Sequence, residues 1–353
     1  MKTRAVLSQL RPYVPGKRIA GGIKLSSNEN PLGPSPLATA AINDTLGDLH
    51  RYPDGGAGEL RSAIAARWGV SQEMVVVGNG SDEILVMIAG ALIEPGTNAV
   101  TAAHTFSQYS FATRIFGGEV RTAPMKEGRF DLDAIADQID AATRIVFLCS
   151  PNNPTGTVVT AGELERFLAR VPPDVLVVID EAYGEYVTTA DYPDTVSMIR
   201  DGAALVRLRT FSKIYGLAAL RVGYGIARPQ IIDAISSLRQ PFNVGSAAQR
   251  AATVALGDHE FVARSLENNE REKTRLCSFL EERGVPFIAT EANFVCARFG
   301  DPEARDVARK LAERRIAVRP LASFGMDDHL RISLGTGQEM DALYEALQAI
   351  LGG

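Results

Sequence analysis

Cysteine and histidine are scarce in this chain, and it has no long apolar run and no basic tract. Each shortage removes a class of function. The three cysteines, Cys149, Cys277 and Cys296, show no CxxC spacing and do not form an even framework. That pattern argues against a disulfide scaffold and suits free thiols in a reducing compartment. The four histidines, His50, His104, His259 and His329, are scattered without an HExxH or similar pattern, so no metal centre is expected. The longest apolar run, Ile84 to Ile93, is too short to span a membrane. The opening MKTRAVLSQLRPYVPGKR is basic, but Gln9, Arg11 and Pro12 break its apolar stretch, so it does not read as a signal peptide. A net charge of −5 makes nucleic acid an unlikely main partner. The densest basic cluster, Arg314, Arg315 and Arg319, reads as a solvated helix end and loop, with substrate binding by Arg319 as the alternative. The expectation is a soluble, cytoplasmic protein.

What is present is an ordinary globular composition, 46% hydrophobic and 22% charged over 353 residues, enough for about two domains. Residues 1–30 are rich in proline and glycine and read as an arm laid over the rest. From there short apolar runs alternate with amphipathic segments. MVVVGNG, AVTAAH, EVRTAPM, RIVFLCS, VLVVIDEAY, ALVRLRTFS and VGYGIA read as strands, while SDEILVMIAGALI, TAGELERFLARV and PQIIDAISSLR read as helices. Strands such as VLVVI are apolar at consecutive positions, as expected when helices cover both faces of a mainly parallel sheet. A doubly wound α/β domain over 31–255 is therefore expected. After that the pattern changes to one long helix, PFIAT, NFVCARF, a helix from Pro302 to Arg314, IAVRP, HLRISL and a last helix. This predicts a smaller α+β domain over 256–353.

In open α/β sheets ligands bind beyond the carboxyl ends of the strands, so the residues following each apolar run carry the argument. After MVVVG stand Asn79, Gly80, Ser81 and Asp82, opening a helix whose first N–H groups point at an anion. Glu83 occupies the place of the third glycine in a GxGxxG fingerprint, so a dinucleotide is not indicated. A smaller phosphate or a bare helix cap both remain open there. After RIVFLCS comes PNNPTG, a proline-fixed turn presenting two asparagine amides. After VLVVI come Asp180 and Tyr183; a carboxylate at the end of an apolar strand needs a partner or a capping role. After ALVRL comes RTFSKIYGLAALR, which sets Lys213 among Thr210, Ser212 and Tyr215, with Arg221 following.

One cofactor uses all of these groups: pyridoxal 5′-phosphate. Its aldehyde needs a lysine for a Schiff base, and its pyridine nitrogen needs an aspartate to remain protonated. Its 3-oxygen needs neutral donors such as Asn153 and Tyr183. Its phosphate needs N–H groups, hydroxyls and an arginine. Lys213 then becomes nucleophile and proton shuttle.

The motifs SSNENPLGPSP, RYPDGGAGELRSAIA, GNGSDE, HTFSQY, SPNNPTG, IDEAY, RTFSKIYGLAALRVGY and LRISLGT, from Leu25 to Thr336, carry a resemblance. The chain resembles the fold type I pyridoxal-phosphate aminotransferases and, among them, the histidinol-phosphate aminotransferase family. The resemblance implies a large domain with a mainly parallel seven-stranded sheet beside a smaller α+β domain. By the same resemblance, Lys213 matches the Schiff-base lysine, Asp180 the pyridinium partner, and Asn153 and Tyr183 the 3-oxygen ligands. Ser81 and Asp82 match backbone donors to the phosphate, joined by Ser212 and Arg221. Phe106 falls where an aromatic ring stacks on the pyridine. Arg331 matches the arginine that grips the substrate carboxylate. Tyr52, in RYPD, resembles a tyrosine that reaches the neighbouring subunit's phosphate, which implies a homodimer with shared active sites.

The chain departs from the family where His104-Thr105-Phe106 replaces the common Pro-Thr-Tyr or Pro-Thr-Phe. Candidate ligands for a substrate phosphate are Tyr13, Asn243 and Arg319; Phe106, Tyr109 and Phe242 would form an apolar side. The reaction expected is histidinol phosphate with 2-oxoglutarate, an amino donor paired with a 2-oxo acid acceptor. Rivals are an aromatic amino acid aminotransferase, a related decarboxylase, and a pyridoxal-phosphate-binding module without turnover.

Overall fold

The computed structural model describes residues 19–300 and 303–352, together with 1–4, 6, 7 and 10. Val75 to Val77, Ile145 to Cys149 and Leu176 to Ile179 are apolar at successive positions and buried throughout, so both faces of their sheet are covered. The sheet has seven strands, in the order Val75–Gly78, Gly223–Ile226, Leu205–Thr210, Leu176–Asp180, Thr143–Cys149, Asn98–Ala102 and Glu119–Ala123. Gly223–Ile226 runs antiparallel to both neighbours, and the other pairs are parallel. The fold is α/β with a mainly parallel sheet, and helices form at SDEILVMIAGALI (Gly80–Leu92), at Ala161–Leu168 and at Pro229–Ser236.

A second sheet of five strands runs in the order Ile23–Leu25, Ile316–Pro320, His329–Ser333, Phe294–Arg298 and Phe287–Ile288. Helices His259–Glu282, Glu303–Glu313 and Gly337–Leu351 accompany it. Leu25, Leu276, Val295, Leu311, Ile332 and Leu343 belong to its buried cluster, which is separate from the one around the large sheet. Ile23–Leu25, within the stretch read as an arm, is its parallel edge, with Leu25 opposite Val318. From that edge the chain crosses to the large sheet through Ser26–Asn30. Among the described residues no helix is long and apolar enough to cross a membrane.

Behind the strand ends lies a buried ionic cluster. Side chains two apart on a strand share a face, so Arg207 and Arg209 project together. Glu181 Oε2 accepts from the Nε of Arg207 at 2.7 Å and of Arg209 at 3.1 Å, and Thr195 Oγ1 donates to its Oε1 at 2.7 Å. The Arg207 guanidinium lies 3.6 Å from the centre of the Trp68 ring. The cluster ties the strand ending in Asp180 to the strand that leads to Lys213. Glu181→Ala removes the carboxylate shared by two buried guanidinium groups, leaving Arg209 with Glu185 at 2.9 Å and Arg207 without its ion-pair partner, which should cost about 3–5 kcal/mol. A urea denaturation series on the purified protein checks this: the midpoint should fall clearly, and an unchanged midpoint would contradict the clamp.

Candidate active site

The expected residues converge on a cavity of about 250 Å³ beyond the carboxyl ends of the strands, lined by Lys213, Asp180, Asn153, Tyr183, Ser212 and Arg221 among others. A larger cavity of about 590 Å³ opens between His104, Arg298 and His329. None of Asp180, Lys213 and Arg221 lines that one, so the smaller cavity is the one that gathers the expected groups.

On one wall Asp180, buried at the end of its strand, accepts from the Tyr109 hydroxyl at 2.9 Å and from the Ala182 N–H at 3.1 Å. Burial pushes its pKa up to about 6, against the pull of the Tyr109 hydrogen bond. Lys213 faces the cavity with its Nζ 3.3 Å from the Ser27 carbonyl and 5.5 Å from the centre of the Tyr183 ring. Burial, then the Arg331 charge, lower its pKa to about 8. The turn after Lys213 needs Gly216, whose φ is +68° and whose added Cβ would meet the Gly33 carbonyl at 2.1 Å. This close approach lays the chain after Asn30 against the lysine loop.

At the other end helix Gly80–Leu92 begins. Ser81, largely buried, and Asp82 stand in its first turn, where backbone N–H groups lack intrahelical partners. Arg221 donates from Nη1 to Ser212 Oγ at 3.3 Å and from Nη2 to Asp82 Oδ2 at 3.2 Å. Gly80 makes room for it, since a Cβ there would meet Arg221 Nη2 at 2.4 Å. The Asp82 carboxylate therefore already engages the arginine, in addition to the backbone role the sequence suggested.

Next to the lining residue Asn153, Arg331 donates from Nη1 to its Oδ1 and from Nη2 to the Ser26 carbonyl at 2.9 Å, and its guanidinium lies 5.4 Å from the Phe294 ring centre. Tyr183 is buried, which pushes its phenol pKa up and keeps it protonated. Its oxygen accepts from Asn28 Nδ2 at 2.9 Å. Sequence reasoning missed Asn28 and the carbonyls of Ser26 and Ser27. The available signal was SSNENP itself: Asn28 has φ +55°, a conformation asparagine tolerates better than most residues.

The remaining candidates lie further out. Phe106, partly buried, lines the cavity and meets Tyr109 edge-on at 5.7 Å. Tyr52 is 81% exposed and stacks on Phe242 at 4.6 Å, away from the cavity lining. Arg319 stands opposite Arg331 in the strand register and donates from Nη2 to Ser323 Oγ at 3.5 Å. The Asn243 amide is committed to Glu83 Oε2 at 2.6 Å and to the Val77 carbonyl at 3.3 Å, so it is not a free phosphate ligand. Tyr109 is no plain apolar wall, because its hydroxyl serves Asp180. Tyr13 lies outside the described residues. His104 Nδ1 lies 2.6 Å from the Phe324 carbonyl, so the departure from the family's proline ties the Phe106 loop to the turn before Arg331.

The profile of the family described as Aminotransferase class I and II matches residues 20–347. The histidinol-phosphate aminotransferase of Moorella thermoacetica is 46% identical, over 99% of this chain and 93% of its own. That of Geobacillus thermodenitrificans is 45% identical, over 99% and 98%. The chain belongs to the class I and II aminotransferases, in the histidinol-phosphate aminotransferase family. The structure of the Sinorhizobium meliloti histidinol-phosphate aminotransferase, a complex with pyridoxal 5′-phosphate, superimposes with a TM-score of 0.91 at 26% identity, covering 99% of this chain and 98% of that one.

The aminotransferase is a pyridoxal-phosphate enzyme, and its cavity fits that group. A buried carboxylate at one wall suits a protonated ring nitrogen. A protonated phenol and an amide suit the ring oxygen. A helix start with Ser212 and Arg221 suits a phosphate, and an amine of depressed pKa stands between them. An amine with a pKa near 8 is substantially neutral at pH values where an ordinary lysine, at about 10.4, is charged. Labelling of the cofactor-free protein with a small amine-reactive reagent should therefore rise at Lys213 as pH increases through about 8, well before the surface lysines respond. Peptide mass spectrometry reads this out; a Lys213 profile matching the surface lysines would contradict the burial argument.

Proposed function

We propose that the aminotransferase moves an amino group between histidinol phosphate and 2-oxoglutarate, giving imidazole-acetol phosphate and glutamate, as a step of histidine biosynthesis. The observation that carries the reading is that Lys213 and Asp180 line one cavity of the large sheet, while Arg331 of the small sheet reaches Asn153 in its lining. The identity of 45–46% to histidinol-phosphate aminotransferases over nearly the whole chain supports the substrate.

In this reading residues 31–255 hold the cofactor, and 256–353 supply the carboxylate clamp. When bound, pyridoxal 5′-phosphate supplies the electron sink that makes the proton on the amino donor's Cα removable. Asp180 faces the ring nitrogen, and its negative charge in a water-poor site stabilises positive charge there. Asn153 and Tyr183 donate to the ring oxygen. The Ser81 and Asp82 N–H groups, Ser212 and Arg221 hold the phosphate, and Phe106 covers the ring. Neutral Lys213 Nζ takes the proton from the donor's Cα and returns it to complete the transfer. Arg331 binds the α-carboxylate of glutamate, for which a planar guanidinium offers two parallel donors. Arg319 and Tyr13 are proposed ligands of the substrate phosphate.

We place Tyr52 in the neighbouring subunit's phosphate site, with the enzyme a homodimer. Support comes from its outward position on this subunit and its stacking on Phe242. Mixing inactive Lys213→Ala with inactive Tyr52→Phe should restore activity once subunits exchange, because one hybrid site then holds both residues intact. No recovery after verified exchange would place Tyr52 in its own subunit's site.

The substrate is tested by comparing kcat/KM for histidinol phosphate and phenylalanine. A dianionic phosphate held by charge-assisted hydrogen bonds, each about 1.5–3 kcal/mol, should favour histidinol phosphate by about tenfold or more. Comparable values would favour an aromatic aminotransferase instead. Histidinol phosphate carries a hydroxymethyl where glutamate has its α-carboxylate, so Arg331→Lys should slow the glutamate half-reaction more than the other in single-turnover measurements.

A further inference from the structure

Tyr109 stands in the first turn of helix Gln108–Ile115 and is 1% exposed. Its ring lies nearly parallel to Phe147, 7° apart with centres at 5.0 Å, and meets the edge of Phe106 at 5.7 Å and 83°. Held between two rings, its hydroxyl donates to Asp180 Oδ2 at 2.9 Å, while the Ala182 N–H donates to Oδ1 at 3.1 Å. Each carboxylate oxygen of Asp180 thus has one fixed donor. Both donors favour the ionised form, since a carboxylate accepts more strongly than a carboxylic acid.

We propose that Tyr109 is a positioning residue that orients Asp180 and holds it as an anion for the cofactor's ring nitrogen. The inference rests on the reading of Asp180 as the partner of that nitrogen. Three observations carry it: the hydrogen bond, the two-sided packing that leaves the phenol little freedom, and the position of Phe106. The ring expected to cover the cofactor packs against the same residue that positions the carboxylate, so a single side chain sets both contacts. Burial also suppresses ionisation of the phenol itself, which keeps Tyr109 a donor and gives the bond one direction. Without that donor only the Ala182 N–H opposes burial, and the balance moves toward a neutral Asp180, which has no charge to offer a protonated ring nitrogen.

The test compares two ligands that differ only at the ring nitrogen: pyridoxal 5′-phosphate and its 1-deaza analogue, in which carbon replaces that atom. Both carry the same aldehyde and phosphate, so contributions from Lys213 and Arg221 cancel. Equilibrium affinities are measured for the cofactor-free parent, Tyr109→Phe and Asp180→Asn. Phenylalanine keeps the ring packing and removes only the hydroxyl. Tyr109→Phe should weaken pyridoxal 5′-phosphate by about tenfold, the scale of one hydrogen bond to a charged acceptor, and leave the deaza analogue nearly unchanged. Asp180→Asn should show the same discrimination more strongly. Equal weakening of both ligands by Tyr109→Phe would reduce its role to packing and overturn the proposal. So would unchanged affinity for both while Asp180→Asn still discriminates. If Asp180→Asn fails to discriminate, the reading of Asp180 falls and this inference falls with it.

Discussion

Asn28 fastens the two sheets to each other at the point where the chemistry sits. Its Nδ2 donates to Tyr183, which follows the Asp180 strand, and its Oδ1 accepts from Ser333 at the end of a small-sheet strand. Its own N–H donates to Ser333 Oγ, and its carbonyl accepts from Asn293. On either side the same short crossing supplies the Ser26 carbonyl to Arg331, the Ser27 carbonyl to Lys213, and the Asn30 amide to the Ile214 carbonyl. Without this crossing, Arg331 would be held to the Lys213 side of the molecule through Asn153 alone among the contacts described. With it, the Lys213 amine and the Arg331 guanidinium are measured from adjacent peptide groups.

Loss of water drives the main ionisation shifts in the cavity, in directions set by chemical type. It lowers the Lys213 ammonium and raises the Asp180 carboxylate and the Tyr183 phenol. Asp180 itself ends a strand of consecutive buried apolar residues, so the sheet that builds the fold also keeps water from that carboxylate. The permanent cations nearby, Arg221 in the lining and buried Arg331 beside it, are arginines. Titratable functions and permanent charges are thereby assigned to different residue types.

Much of this was legible in the chain because it is local. Consecutive apolar residues end in a short polar motif, and the sheet topology then gathers those motifs at one edge. Lys213, Asp180, Asn153, Tyr183, Ser212 and Arg221 could be singled out that way, and all line one cavity. What could not be read depends on contacts distant in sequence. Ile23–Leu25 is too short to show an alternation, and it forms only because Ile316–Val318 offers an edge. Tyr109 looked like a wall residue because an aromatic in an amphipathic helix gives no sign of where its hydroxyl points. Asn243 looked free because its carboxylate partner, Glu83, is 160 residues away. His104 carried no pattern of its own, and its partner is a backbone carbonyl that no side-chain motif encodes.

The strand Ile23–Leu25 and the crossing after it also govern the order in which the molecule can assemble. Arg331 and Ser333 lie 305 residues beyond their partners Ser26 and Asn28. During synthesis the large sheet can close as soon as Gly223–Ile226 has emerged, while the early strand still waits for an edge that the ribosome has not made. Contacts of such span form late and slowly. The nascent protein therefore passes through an interval in which the loop carrying Lys213 has been made while the Ser26–Asn30 crossing still lacks its partners Arg331 and Ser333.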